Sequence, residues 1–430
     1  MAILKAVRGT RDLLPPETAL WNHVEATARA IFARYAFGEI RTPIFEDTAL
    51  FARGVGEETD IVSKEMYTWE DRVRADSDGA QSLTLRPENT AGVVRAYIEH
   101  KLADTGMLQK LFYIGPQFRR ERPQRGRYRQ FWQIGAEVLG PAWSGADSAL
   151  RDAEVLEMLS TFLNELGVHG WRLELNSVGS STDRPRYIAA LREALQPVKH
   201  RMSADNQRRA ETNPLRVLDS KAPEDQEIIN GLPKIADFLD DASREHFAQV
   251  LKALDACGVA YTVNPRLVRG LDYYTRTTFE FTVPDGSGLG TQNALLGGGR
   301  YDGLSEMLGG PKAPGIGFAI GEDRLILTLQ AQALAVAEKK LDAFIAPMGV
   351  GQNAAAVELA QELRRAGLSI EIGDGTFRLK KSFEAADKLA RRMVILGEDE
   401  VASGILTVKD FSAGEQMKVA RAELADALRK

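Results

Sequence analysis

The sequence predicts a multidomain α+β chain, in which a β-rich first region is broken by a helical insertion and followed by a small α/β domain. Three observations carry this. Short β-like runs alternate with charged loops between residues 83 and 140. Residues 180 to 258 turn polar and helical between two β-rich stretches. Beyond residue 340, strand and helix patterns alternate, which points to strands that are at least partly parallel.

The length of 430 residues, at ~150 per domain, allows two or three domains and a core that needs no staples. Apolar residues at 44% and charged residues at 27% exclude a largely disordered or fibrous chain. No apolar run approaches the ~20 residues that span a bilayer, and Met1 to Gly9 carries no sustained apolar stretch of a secretory signal. A soluble, cytoplasmic protein without membrane contact is expected. The single cysteine, Cys257, cannot form an internal disulfide, and its neighbours Leu254 and Ala256 predict a buried helical site. The net charge of −5 announces no nucleic-acid binder, but a polyanion can dock on a local basic patch because distant charges are screened.

In chain order, residues 18 to 37 read as an amphipathic helix with Leu20, Val24, Ala28, Ile31 and Tyr35 on one stripe and Gly38 as its stop. Glu39 to Ile44 reads as extended, with Pro43 at an edge or strand end. Leu83–Leu85, Lys110–Ile114 and Arg129–Leu139 follow as β-like runs; 148 to 166 reads as a helix, and Trp171–Val178 alternates like a strand. In the insertion, Phe247, Val250, Leu251 and Leu254 share a helix face. Strands resume at Ala260–Val263 and Thr277–Thr282, and a glycine-rich stretch spans 286 to 317. The expected boundaries are 1–330 with the insertion at about 180–258, a connector at 331–340, and an α/β domain at 341–430. That domain alternates strand 343–346, helix 353–366, strand 369–372, helix 379–390, strand 393–396, a hairpin at 404–418 and a last helix.

Several chemistries are excluded at once. There is no phosphate-binding Gly-x-x-x-x-Gly-Lys-Ser/Thr, and the glycines at 286–290 and 315–317 lack dinucleotide-binding spacing. The five scattered histidines form no zinc-ligand pattern, so no metal ligand is assigned. The densest signal is Phe118 to Phe131, with six arginines between Arg119 and Arg129 and a loop marked by Pro123 and Gly126. Planar guanidinium forks bind phosphate, and Tyr128 and Phe131 offer faces for a base; the bland alternative is a solvated charged hairpin. Arg86-Pro87-Glu88-Asn89-Thr90 ends a strand and opens a helix: Glu88 can receive an ammonium group and Thr90 can cap, or the cluster is a helix cap alone. Gln133 and Glu137, four apart on one strand, share a face that is either a polar pocket or simply exposed. Arg269 beside Tyr273 and Tyr274 is compatible with a small anion, Gly297 to Gly303 permits close approach of something flat or bulky, and Arg324 falls near a helix start.

Together these segments form a resemblance. Phe118-Arg119-x-Glu121 resembles motif 2 of the class II aminoacyl-tRNA synthetases, and Gly321-x-x-Arg324 resembles motif 3. Arg86–Thr90, Leu267–Tyr274, Gly298–Gly303 and the opening Val7–Asp12 are similar to the histidyl-tRNA synthetase family in particular, across essentially the whole chain. The resemblance implies an antiparallel six-stranded catalytic sheet, a helical insertion domain, a C-terminal α/β anticodon-binding domain and a homodimer built partly on residues 39 to 51. It implies that histidine and ATP, with Mg2+, yield histidyl-adenylate and pyrophosphate, and that the histidyl group then passes to the terminal adenosine of the histidine tRNA. Glu88, Thr90 and Gln133 are implied for the α-ammonium and carboxylate, and Glu137 and Tyr274, with Tyr273 beside them, for the imidazole. Arg119 and Arg269 are implied for the α-phosphate, Arg127 and Arg324 for the outer phosphates, Phe131 for adenine and Glu121 for its exocyclic amine. Arg119, Arg269 and Arg324 are thereby the implied catalytic residues, and Arg122, Arg125 and Arg129 remain for the tRNA acceptor end.

The chain departs from the usual pattern in places. Asn89 replaces a frequent Gly, which a negative φ tolerates; Trp132 stands on the strand face opposite Gln133; and Asp323 replaces a Glu, as a metal ligand or as a salt-bridge partner. The acidic loop at 72–81 has no functional account. Two other readings compete: the non-catalytic paralogue that regulates ATP phosphoribosyltransferase, which typically lacks the last domain and degrades the arginines, and a nucleic-acid-binding module, which leaves Glu88, Gln133, Glu137 and Tyr274 unexplained.

Overall fold

A computed structural model describes residues 3–56, 59–71, 80–268, 273–284, 286–289, 293–334 and 340–429. The chain divides into two compact units, 1–336 and 337–430.

In the first unit the strands are β1 (Gly38–Glu39), β2 (Phe45–Asp47), β3 (Tyr67–Glu70), β4 (Ser82–Leu85), β5 (Gln109–Phe118), β6 (Gln130–Leu139), β7 (Arg172–Ser177), β8 (Tyr261–Val263), β9 (Thr275–Thr282), β10 (Ala294–Arg300) and β11 (Gly315–Gly321). The main sheet has eight strands in the order β1-β5-β6-β11-β10-β9-β7-β8. This adds two edge strands to the six antiparallel ones that the resemblance implies. The run from β5 to β7 is antiparallel throughout, but β1 joins β5 and β8 joins β7 in parallel, which makes the sheet mixed. Two edge segments of two and three residues satisfy open backbone groups there, and such short pieces carry no periodicity of their own. β2, β4 and β3 form a separate small sheet, so the run at 83–85 does not belong to the main one.

The first helix runs Glu17–Arg34 and buries Trp21, Val24, Ala28, Ile31 and Phe32. It stops before Gly38: Ala36 takes φ 62 and turns the chain into β1. Ser148 caps the helix Ala149–Glu165 by accepting from the Leu150 N–H at 3.3 Å. These helices and the sheet enclose one core that includes Phe32, Phe112, Leu159, Phe279 and Phe318. Residues between 187 and 239 have a core of their own, around Tyr187, Leu191, Val217 and Ile229. The helix Asp241–Cys257 sends Val250 and Leu254 into the main core instead. Cys257 is exposed, contrary to expectation, because it ends that helix a turn beyond the buried stripe.

The second unit holds a five-stranded sheet of β12 (Leu341–Pro347), β13 (Ile370–Ile372), β14 (Ala390–Leu396), β15 (Ile405–Asp410) and β16 (Gln416–Ala420), ordered β13-β12-β14-β15-β16. β12 pairs in parallel with β13 and β14, while β14, β15 and β16 are antiparallel. Among the described residues no helix is long and apolar enough to cross a membrane.

Candidate active site

The sheet face built by β5, β6, β11, β10 and β9 opens into a cavity of about 1490 Å³ within the first unit. Alternation along β6 puts Phe131, Gln133 and Glu137 on that face. Gln133, Glu88, Thr90, Tyr273 and Tyr274 line the cavity, and so do Arg119, Glu121, Arg127, Phe131 and Arg324. Arg269 lies outside the described residues.

Glu137 sits directly behind this lining and is fully buried. Its Oε1 accepts from the Thr90 hydroxyl at 2.7 Å and the Tyr113 hydroxyl at 3.4 Å; its Oε2 accepts from the Tyr301 hydroxyl at 2.6 Å. Burial pushes its carboxyl up to about 8, the three hydroxyls pulling the other way. Tyr113 and Tyr301 were not singled out for the site. Tyr301 stands in the Gly298–Gly303 segment, which marked it, whereas Tyr113 carried no signal beyond its place in a β-like run.

Within the glycine-rich stretch, 294–300 and 315–317 are strand, and what comes close to the glycines there belongs to the site itself. A Cβ at Gly317 would stand 1.7 Å from Glu137 Oε2, one at Gly299 2.8 Å from the Tyr274 ring, and one at Gly315 2.6 Å from the Tyr301 ring.

Glu88 lines the cavity and also caps the helix Thr90–Glu99, accepting from the N–H groups of Thr90 at 2.7 Å and Ala91 at 3.1 Å. The capping atom is therefore its carboxylate, while the Thr90 hydroxyl is turned to Glu137. Burial raises the Glu88 carboxyl. Asn89 has φ −121, an ordinary conformation that needs no glycine, and its Oδ1 accepts from the Thr42 hydroxyl. Arg86 is structural, donating to Pro116 O and Thr42 O at 2.9 Å each. Gln133 Oε1 is buried with no hydrogen-bond partner among the described residues, an acceptor left open beside the cavity. The Tyr273 and Tyr274 rings lie 4.8 Å apart, and Tyr273 meets Tyr301 edge-on at 5.9 Å.

In the arginine-rich hairpin, Arg119 lies over the Phe131 ring at 5.2 Å and donates to Pro87 O at 2.9 Å. Glu121 is bridged to Arg127 at 3.2 Å and lies 3.9 Å from Arg119. Arg129 is turned to the backbone carbonyl of Arg8 at 3.3 Å, tying the N-terminal segment to the hairpin. Arg11 donates to Asp323 at 2.9 Å and stacks over Tyr128 at 4.9 Å. The contact with Arg11 is a salt bridge, and Asp323 also accepts from the Trp132 N–H at 3.1 Å. Among the described residues no three His, Cys, Asp or Glu side chains group to hold a metal.

Arginines around an aromatic face, next to a polar recess of carboxylates and phenols, suit a nucleotide and a small polar ligand held in one cavity. The family model Histidyl-tRNA synthetase matches residues 9–325, and the model Anticodon binding domain matches 342–430. The histidine–tRNA ligase of Koribacter versatilis is 68% identical over 424 residues, covering 98% of this chain and 95% of that one. That of Solibacter usitatus is 53% identical over 425 residues, 98% of each chain. The crystal structure of apo histidyl-tRNA synthetase from S. aureus superposes with a TM-score of 0.81 at 37% identity, over 100% of both chains.

Proposed function

The chain belongs to the histidyl-tRNA synthetase family, and from that we propose that it charges the histidine tRNA in two steps. In the first, a histidine carboxylate oxygen attacks the α-phosphorus of ATP and pyrophosphate leaves. In the second, a ribose hydroxyl of the tRNA terminal adenosine attacks the adenylate carbonyl and AMP leaves.

The proposed roles draw on the cavity wall, on Glu137 buried behind it, and on Arg269, which lies outside the described residues. Glu88, Thr90 and Gln133 hold the α-ammonium and carboxylate, and the open Gln133 Oε1 supports this. Glu137 and Tyr274 flank the imidazole, with Tyr273 packed behind; a recess of paired polar groups rejects side chains that leave them unpaired. Arg119 and Arg269 stabilise charge on the α-phosphate, Arg127 and Arg324 hold the outer phosphates, Phe131 stacks on adenine and Glu121 reads its amine. The side of Phe131 away from Arg119 is the one assigned to the base. Magnesium bound with ATP neutralises phosphate charge. Glu280 and Thr282 on β9, with Glu174 opposite Glu280 on β7, bring oxygen donors of the right hardness to the cavity.

Further proposals are a homodimer, the reading of tRNA by residues 342–430, and cytoplasmic residence. The exposed Ile44 and the edge-on pair Phe45–Trp69 offer the dimer an apolar face at residues 39 to 51. The regulatory-paralogue reading is not favoured at 68% identity to a histidine–tRNA ligase over nearly the full chain. The observation that carries the proposal is a fully buried Glu137, held by Thr90 and Tyr301, beside a cavity that Arg119 and Arg324 also line.

The test is ATP–pyrophosphate exchange with purified protein across all twenty amino acids. Exchange with histidine alone is expected. A folded protein that exchanges with none would return the weight to the regulator.

A further inference from the structure

Five side chains close a ring beside the tyrosines of the pocket. Arg300 is fully buried and grips Asp152: Nη2 donates to Oδ1 at 2.5 Å, and Nε lies 3.1 and 3.2 Å from the two oxygens. Arg300 Nη1 donates to Asp302 Oδ1 and to Ala146 O, both at 3.0 Å, and Nη2 reaches Ser148 O at 3.3 Å. Asp152 Oδ2 lies 2.8 Å from His246 Nε2, and His246 Nδ1 faces Arg276 Nη1 at 3.5 Å. Arg276 Nε, 3.9 Å from Asp302 Oδ2, completes the circuit.

The protonation of the ring follows from its partners. A guanidinium only donates, so His246 Nδ1 accepts from Arg276 and the imidazole proton sits on Nε2, facing Asp152. Two arginines, two aspartates and one neutral histidine then sum to zero. A buried charge is tolerated when it is matched and fully hydrogen-bonded in this way, and removing one member exposes the others to the desolvation cost.

Its location gives the ring a bearing on the site. Arg300 and Thr275 are register partners where β10 meets β9, and the Asp302 N–H donates to the Thr275 hydroxyl at 3.2 Å. Tyr274 immediately precedes this junction. Tyr301, whose hydroxyl holds Glu137, immediately follows it. Arg276 sits at φ 47, a conformation that a side-chain-bearing residue adopts only when its surroundings impose it. The ring supplies part of that imposition, and Gly179 O, accepting from the Arg276 N–H at 2.7 Å, supplies more. Asp152 comes from the helix Ala149–Glu165 and His246 from Asp241–Cys257, so two helices outside the site clamp the strand ends that carry the tyrosines.

We propose that His246, through the ring it forms with Asp152, Arg300, Asp302 and Arg276, is a positioning residue for the amino-acid pocket that holds Tyr274 and Tyr301 in register. The inference rests on the assignment of that pocket to histidine. It predicts a defect confined to one substrate: Arg300 is in register through Ile316 with Val138 near the end of β6, whereas Phe131 stands at the start of β6 and Arg324 follows Gly321, the register partner of Gln133.

The experiment measures KM for histidine and for ATP separately in pyrophosphate exchange, with full-length wild type, His246→Ala, His246→Gln and Asp302→Asn. A small displacement of a pocket group costs up to about a hundredfold, so His246→Ala is expected to raise the KM for histidine about tenfold or more while that for ATP moves less than about twofold. The Gln amide can donate to Asp152 and accept from Arg276, so His246→Gln is expected to recover most of the loss. Equal rises in both KM values, no rise, or a Gln variant no better than Ala overturns the proposal. Should His246→Ala not fold, Asp302→Asn at the ring's more exposed arc decides. A histidine-specific rise of about threefold or more supports the proposal, and an unchanged KM refutes it. Wild type that shows no histidine-dependent exchange refutes instead the pocket assignment beneath it.

Discussion

Replacing Glu137 by Gln keeps the shape of the side chain and removes its ability to ionise, and it should separate binding from stability. The carboxylate accepts three hydroxyls in full burial, at 2.6, 2.7 and 3.4 Å. A hydrogen bond contributes about 0.5–1.5 kcal/mol with a neutral carboxyl and about 1.5–3 kcal/mol with a charged one, so losing the one assigned to the imidazole predicts a fall in kcat/KM for histidine of roughly 2- to 150-fold. ATP affinity should barely move. Stability should change in the opposite direction. Burial lifts this carboxyl from 4.5 to about 8, so between those pH values the folded protein binds more protons than the unfolded chain. Stability from this group therefore falls as pH rises through that window, by on the order of several kcal/mol at its upper end. Glutamine does not titrate. The variant's melting temperature relative to wild type, measured without ligands from pH 5 to pH 8, should climb as the pH is raised. An advantage independent of pH, or a variant less stable than wild type at pH 8, would refute the electrostatic reasoning. An unchanged KM for histidine would refute the role in recognition.

Other perturbations test other parts of the site. Gly317→Ala would place a Cβ 1.7 Å from Glu137 Oε2 and 2.9 Å from Ala136 O, so the carboxylate or the strand must shift. Loss of about 1–3 kcal/mol in denaturant unfolding and a histidine KM raised about tenfold are expected, and a neutral variant would contradict the packing. Arg269→His should depress pyrophosphate exchange while calorimetry still registers histidine binding; unchanged exchange would remove Arg269 from the α-phosphate. Asp323→Asn weakens the pairing with Arg11 and the Trp132 N–H, at a cost of about 1–3 kcal/mol in stability, with the magnesium dependence of exchange unaltered. A shifted magnesium optimum would make Asp323 a metal ligand after all.

What could be read along the chain depended on the range of the signal. Period-two alternation puts Gln133 and Glu137 on one face of β6, and the helix pattern around Val24, Ala28 and Ile31 is the buried stripe of the first helix. Trp21 and Phe32 are buried with it, while Leu20 and Tyr35 pack against the same core only partly buried. Both parallel edge strands overlap segments that read as extended, Glu39–Ile44 and Ala260–Val263, but no local pattern says which strand each one joins or in which direction. Cys257 showed the limit of neighbour arguments: apolar residues beside it say nothing about the last turn of a helix.

The sequence by itself determined the family and the chemical inventory of the site, because spaced residue types such as Phe118-Arg119-x-Glu121 and Arg86–Thr90 are local and additive. Tertiary structure alone decided what each group is asked to do. Tyr301 reaches Glu137 across 164 residues, Arg11 reaches Asp323 across 312, and Arg300 reaches Asp152 across 148. Whether Glu88 caps a helix or faces a cavity, and whether a glycine tract is a loop or a strand with no room for a side chain, also rests on such contacts. The reason is physical. Burial and hydrogen-bond partnership set the charge and position of a side chain, and both come from chain segments whose approach no local pattern records.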